Sequence, residues 1–310
     1  MARHRTRHII LWMLLLLIVA ALLWLGRLTV SHGTPQPVDD SVRTFSVLTY
    51  NTQRMGGFEK PEQNQVLQYI LRTDADIVCL QEVEVYQDNE YLTLGELRDA
   101  MQAYPYCYFA FSVHNNRRQF GNAVFSKYPI LDRENVDYAS RSNSSCRCDI
   151  SVQGDTLRLL CNHLESYRFN ADSLRDSTTM GSLRRLYRML PSLRGKGRGR
   201  TEQAQAVRDE IERSPYPVLV VGDFNDTPVS ATYRIIADGL TDAFLSTSWM
   251  RWGTTFRMSV SMASRHWTFP FRIDYILCSP ALTPVSCTVD TVRYSDHYPV
   301  QATLALPSKP

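Results

Sequence analysis

An α/β architecture of two packed sheets with helices outside them follows from short apolar β-type runs and from the amphipathic stretches between them. The runs lie at 44–50, 77–80, 123–125, 157–161, 218–221, 273–277 and 285–289, each bounded by turn formers. Their β-branched and leucine-rich content leaves no polar face, so both faces need cover. Between them, residues 61–71 set Val66, Leu67 and Ile70 at helical spacing behind Pro61, a residue suited to a first turn. Residues 201–211 set Ala204, Val207 and Ile211 on one face, with Thr201 as a cap. A net charge of +3 over 310 residues excludes a polycation, so any surface for an anionic partner must be local.

The start of the chain is different in kind. Arg3, Arg5 and Arg7 precede an unbroken apolar run at 9–25, about 17 residues and at the short end for a membrane-spanning helix. No small-x-small cleavage site follows, because Trp24, Leu25 and Arg27 occupy that zone. We read residues 1–30 as a basic tip with an uncleaved signal anchor, in preference to a cleaved signal peptide. Positive charge before the run holds the tip in the cytoplasm. The remainder is then expected outside, as a single-pass protein facing the periplasm from a bacterial inner membrane. Residues 31–41 carry Gly33, Pro35 and Pro37 and read as a linker. Residues 42–306 read as one catalytic domain.

Seven cysteines are present. Cys79, Cys161 and Cys278 sit in apolar runs and read as buried small hydrophobes. An oxidising compartment would permit disulfides among Cys107, Cys146, Cys148 and Cys287. Cys146-Arg147-Cys148 has the wrong spacing for a zinc knuckle.

Residues 166–200 read as a basic insertion, with Arg168, Arg175, Arg184, Arg185, Arg188 and Arg194 against Asp172 and Asp176. Leu183, Leu186, Tyr187 and Leu190 suit a short helix stopped by Pro191. Two readings stand: a solvated basic lid, or a surface for phospholipid head groups or nucleic acid, with Arg184 and Arg185 as substrate contacts.

Acids, amides and histidines recur where the apolar runs end, and side chains there project from a sheet rim. Asn51 ends the first run and Glu82 follows the second. Asn162 and His163 end another. Gly222-Asp223-Phe224-Asn225 follows Val221, and Arg272-Ile273-Asp274 and Ser295-Asp296-His297 come last. A carboxylate past a buried strand is a good hard-cation ligand. Asp223 and Asn225, two apart, share a face in extended chain. Gly222 lets the backbone come close, and Asp226 stabilises the following turn. Neighbours in a strand point apart, so Asp296 and His297 are not expected to pair. Asp274, an acid in an apolar run, needs a partner, and His297 is the candidate. Such a set is what metal-assisted attack on a phosphate ester requires.

In this order the motifs resemble the endonuclease/exonuclease/phosphatase superfamily, which includes deoxyribonuclease-like and neutral sphingomyelinase-like metal-dependent phosphoesterases. The resemblance covers 42–306 and implies a four-layer α/β/β/α sandwich. It implies Mg²⁺ or Mn²⁺ at Glu82, with Asn51 and Asp296 near the ion. It implies that Asp223 and Asn225 position the water and phosphate, that Asp274 orients His297, and that His163, with Asn162 beside it, contacts the phosphate.

Substrate is not implied. A membrane-anchored phosphoesterase acting on lipid head groups or small phosphoesters is the first reading. An extracytoplasmic nuclease is the second, and a catalytically silent tethered scaffold the third. No protein partner is expected. Trp249, Trp252 and Trp267 read either as lining a substrate cleft or as core and loop packing.

Overall fold

In the computed structural model, the described residues are 12–13, 15–17, 19–20, 30–35, 39, 41–56, 59–88, 90–138, 140, 143–166, 198–262 and 265–307. Two six-stranded mixed sheets form the body. The first runs, in spatial order, Thr283–Val289, Val300–Ala305, Thr44–Asn51, Ile77–Tyr86, Arg118–Ser126 and Tyr106–His114. The second runs Thr241–Asp242, Asp274–Cys278, Val218–Asp223, Asp155–His163, Ser144–Val152 and Ile130–Asn135.

Alternation along these strands explains why both faces are apolar. Phe45, Val47, Ile77 and Cys79 of the first sheet meet Leu159, Cys161, Leu219, Val221 and Ile276 of the second in a central core. The intervening residues face outward. Leu48, Tyr50, Val78 and Leu80 pack under the helix Gln65–Thr73 through Val66, Leu67 and Ile70. On the far side, Leu160, Val218, Val220 and Leu277 pack against Ala204 and Val207 of Arg198–Glu212 and Ile236 of Ala231–Ala237. Three apolar layers therefore separate helix, sheet, sheet and helix, the four-layer order expected.

The helix expected at 61–71 begins later, at Gln65. Asn64 is its cap, its Oδ1 accepting from Leu67 N at 2.9 Å. The helix Leu94–Ala100 is marked by a capping box between Thr93 and Glu96. Cys79, Cys161 and Cys278 are in the core as expected; Cys146, Cys148 and Cys287 join them, and all seven cysteines are free thiols. Residues 31 and 32, read as linker, belong instead to the strand Val30–His32, which pairs with Trp249–Trp252. Backbone pairing has overridden a composition that suggested loop. The expected helix at 183–190, with Arg184 and Arg185, lies outside the described residues, as does most of the run at 9–25. Among the described residues, no helix is long and apolar enough to cross a membrane.

Candidate active site at the sheet rim

The same alternation places the polar residues. Asn51 extends the inward series of Phe45 and Val47, His163 that of Leu159 and Cys161, and Asp223 that of Leu219 and Val221. Registry then brings them level: His163 lies opposite Asp223, and Asp274 lies opposite Asp223 on its other side. The gap between the sheets thus ends in a buried polar cluster where the apolar core stops.

Asp223 is its centre. Asn51 Nδ2 donates to Asp223 Oδ2 at 3.0 Å, and the backbone N–H of Asn225 donates to Oδ1 at 2.8 Å. Asn225 stands in the left-handed region at φ 51°, which turns the chain back on Asp223. Its side-chain nitrogen donates to Leu164 O at 2.9 Å and to Asp223 Oδ2 at 3.2 Å. Both amide hydrogens are thereby used, so Asn225 orients Asp223. Gly222, at φ 124°, lets the strand approach its neighbour: a Cβ there would lie 2.0 Å from Asn162 O. Asp226 holds the following turn through Thr227 N and Thr232 Oγ1. Burial, and secondarily the Asp274 charge, push the Asp223 carboxyl up to about 6.

His297 Nδ1 donates to the Asp274 carboxylate at 3.0 and 3.2 Å, the pairing that the apolar setting of Asp274 demanded. Its Nε2 lies 3.7 Å from Asp223 Oδ2. Burial alone pulls an imidazole down. Here Asp274, Asp223 and Asp296, with the bond to Asp274, outweigh it and raise His297 to about 10. His163 Nε2 lies 3.7 Å from Glu82 Oε1 and 3.9 Å from Asp223 Oδ2. Its Nδ1 is buried with no hydrogen-bond partner among the described residues, and burial holds its pKa below the usual value.

Glu82 stands on a bulge of the Ile77–Tyr86 strand, at φ 54°. Thr52 Oγ1 pins that bulge through the carbonyls of Gln81 and Glu82 at 2.9 and 3.2 Å. The extra residue breaks the alternation and turns the carboxylate toward Asn51, whose Nδ2 lies 3.4 Å away. Burial, aided by the Asp296 charge, raises its pKa. Asp296 is exposed, its N–H donating to Gln53 Oε1.

Among the described residues, two groupings could hold a cation. Ligand atoms of Asp223, Asp274 and His297 lie within 4.8 Å of one another, but Asp274 is committed to a protonated His297, a poor ligand. Glu82 and Asp296 offer partly open carboxylates whose mutual repulsion a divalent ion would relieve, and this donor set suits a hard cation better.

Asn162 requires correction as a substrate contact. It is fully buried, and its amide donates to Leu160 O and Val221 O, both at 3.0 Å. One residue from His163, it points to the opposite face and ties two strands together. Trp249 and Trp252 do not pack in the core, being 63% and 70% exposed. The Trp267 side chain lies outside the described residues. Residues with no advance signal complete the site. Thr255 Oγ1 accepts from the N–H groups of Ile273 and Asp274, both at 3.0 Å, and Phe256 lies against the His297 ring at 4.8 Å between centroids.

With this geometry, the match of residues 48–297 to the Endonuclease/Exonuclease/phosphatase family has a structural basis. The chain belongs to that family. Members of the endonuclease/exonuclease/phosphatase family are generally hydrolases of phosphodiester bonds. YbhP, an uncharacterized protein of Escherichia coli K12, is 28% identical over 287 residues, covering 85% of this chain and 97% of its own. Solved structures share the fold at lower identity. An endonuclease/exonuclease/phosphatase from Beutenbergia cavernae superposes with a TM-score of 0.57 at 18% identity, covering 86% of this chain and 72% of that one. The human Nocturnin catalytic domain with bound sulfate anion gives 0.58 at 17%, covering 85% and 94%. Truncated Caenorhabditis elegans TDP2 gives 0.56 at 19%, covering 84% and 98%.

Proposed function

We propose that this chain is a membrane-anchored, divalent-metal-dependent phosphoesterase whose substrates are phosphate esters of lipid head groups. The observation that carries the chemistry is Asp223, buried, held by Asn51 and Asn225, and flanked by two histidines of opposite character. At neutral pH it is ionised and placed to align a water and take its proton. His297, kept protonated by Asp274, faces the same carboxylate and supplies positive charge where a phosphate would lie. His163, kept neutral by burial, has an N–H at Nε2 to offer a phosphoryl oxygen. Glu82 and Asp296 would hold Mg²⁺ or Mn²⁺, which when bound polarises the phosphoryl oxygen and stabilises the leaving alkoxide.

The apolar run at 9–25 behind a basic tip supports anchoring, with the catalytic domain on the extracytoplasmic side. The arginines from Arg168 to Arg194 suit anionic head groups at that surface. They also suit a nucleic acid, which makes nuclease activity the second reading.

The test is hydrolysis by the full-length chain in vesicles, with Mg²⁺ and with chelator, against sphingomyelin, phosphoinositides, plasmid DNA and RNA. Asp223→Ala is the control. Metal-dependent release of phosphorylated head groups or phosphate, lost in Asp223→Ala, is expected. Cleavage of nucleic acid alone would replace the lipid reading with the nuclease one.

A further inference from the structure

Trp249, Met250 and Trp252 form an exposed apolar surface at 63%, 70% and 70% accessibility. Other exposed large apolar residues of the body, such as Leu131 and Tyr216, stand singly and need no explanation. Here two indoles and a thioether share four residues with Arg251, and all four are exposed.

The backbone holds them outward. Val30 pairs with Trp252 and His32 with Trp249, so three steps on one strand oppose two on the other. The extra residue is a bulge, with Met250 at φ 50°, and it cancels the alternation that would turn one of the apolar side chains inward. The ribbon is also firmly seated. Arg251 N donates to Ser31 Oγ at 2.9 Å, and Gly33 N donates to Leu245 O at 3.0 Å. A Cβ on Gly33 would lie 1.6 Å from Ser246 O, so only glycine permits that approach. The helix beneath, Ala243–Thr247, sends Ala243, Phe244 and Leu245 into the central core.

Chain length says what faces this surface. From Leu25, the end of the apolar run, to Val30 is five residues, a reach of at most about 18 Å. The head-group layer beyond the hydrocarbon is about 5–8 Å deep. A chain anchored through 9–25 therefore cannot carry the ribbon far from the bilayer. Tryptophan favours that interface, and arginine beside it reaches phosphate while its stem lies on apolar surface. From Trp252 to Thr255 is three residues, about 11 Å at most. Thr255 is the residue that holds the backbone of Asp274, and its carbonyl accepts from Tyr298 N, next to His297.

We propose that Trp249, Met250 and Trp252 are a second membrane contact, inserted in the head-group layer of the bilayer that anchors the chain, which keeps the catalytic rim at the lipid surface. This rests on the anchored reading and adds to it a fixed orientation: the domain is docked on the membrane, not tethered free above it.

The full-length chain, reconstituted in phosphatidylcholine–phosphatidylglycerol vesicles, tests it. Fluorescence is compared between the protein and a Trp249→Ser/Trp252→Ser variant, so that the difference reports these two indoles alone. Both side chains are exposed, and an unchanged melting temperature verifies that the variant is folded. Lipid bearing a nitroxide just below the head group is expected to quench the difference signal at least twofold, while iodide on both sides of the membrane leaves it nearly intact. Quenching by iodide and not by lipid overturns the proposal. Protection from both overturns it as well, since protein would then cover the ribbon. A carbonate wash separates the two levels: release of the unmutated protein from the vesicles overturns the anchor and with it the contact, whereas retained protein with iodide-quenched indoles overturns the contact alone.

Discussion

His163 and His297 lie on either side of Asp223, equally deep and at nearly equal distance from it, yet their acidities move in opposite directions. Among the described residues, His163 has carboxylates no nearer than 3.7 Å and a buried Nδ1 with no partner, so desolvation wins and favours the neutral ring. His297 gives its Nδ1 hydrogen to Asp274, and the combined carboxylates win over desolvation. Burial does not decide the charge of an imidazole; burial with or without a bonded carboxylate does. One site thereby holds a neutral donor and a cation at the same pH, and both address the base between them.

Removing that base has the largest expected effect. Asp223→Ala should lower turnover by on the order of a hundredfold or more, and His297→Ala should do the same; near-normal steady-state rates in folded variants would end the assignment. In the unmutated enzyme the rate should climb with pH through about 6, as Asp223 ionises. A flat profile between pH 5 and 7 would show that another group limits the reaction.

Asp274→Asn attacks the asymmetry itself. Without the carboxylate, His297 should fall from about 10 toward the ordinary imidazole value, because its main supporting charge is gone. Turnover should drop roughly ten- to a hundredfold at pH 8, with a smaller loss at pH 6, where the ring regains its proton. NMR titration of the imidazole measures the shift directly, and an unmoved His297 would mean that Asp223 and Asp296 suffice to hold its charge.

His163→Gln should cost less, roughly tenfold, since an amide N–H replaces an imidazole N–H as donor. The pH dependence should keep its shape above neutral pH, because burial holds the His163 pKa below its usual value. A displaced profile would reveal it as a titrating participant.

The smallest effect expected is on stability. The folded protein raises Asp223 from 3.8 to about 6, so the proton is held more tightly when folded, and ionisation opposes folding. The penalty is absent below about 4, grows between 4 and 6, and is complete above 6. Asp223→Asn lifts it, so the stability of the variant relative to the unmutated protein should improve by on the order of 1 kcal/mol between pH 4 and pH 8. Thermal melts in chelator at the two pH values check this, and a melting-temperature difference that is the same at both would show that ionised Asp223 carries no such penalty.

Much of this was legible in one dimension. All but one of the apolar runs ended within two residues of a strand end, the exception being 77–80, whose strand continues to Tyr86, and the acids, amides and histidines that follow the runs became the rim. The parity of Asn51, His163 and Asp223 with their inward neighbours needed only the strand period. The partner of His297 was inferable because an acid inside the 273–277 run has no other tolerable fate. Less was legible where pairing overrules composition. Residues 31 and 32 looked like linker and form a strand. Asn162 looked like a site residue beside His163, but one step of alternation puts it on the other face. Thr52 and Thr255 gave no signal, since a threonine that pins a bulge or a backbone N–H resembles any other threonine.

What the sequence by itself determined was therefore the local and periodic part: seven of the twelve strands of the two main sheets and two of the helices, two-sided burial, the inventory of chemical groups, and the order in which they arrive at one rim. The tertiary structure alone decided the pairwise part. It set which carboxylate each histidine faces, that Glu82 turns toward Asn51 on a left-handed bulge, and that Trp249 and Trp252 stand outward beside the chain's entry from residue 30. Periodicity is a property of neighbours along the chain and can be read there. Charge state, bulge geometry and exposure depend on atoms that only the fold brings together.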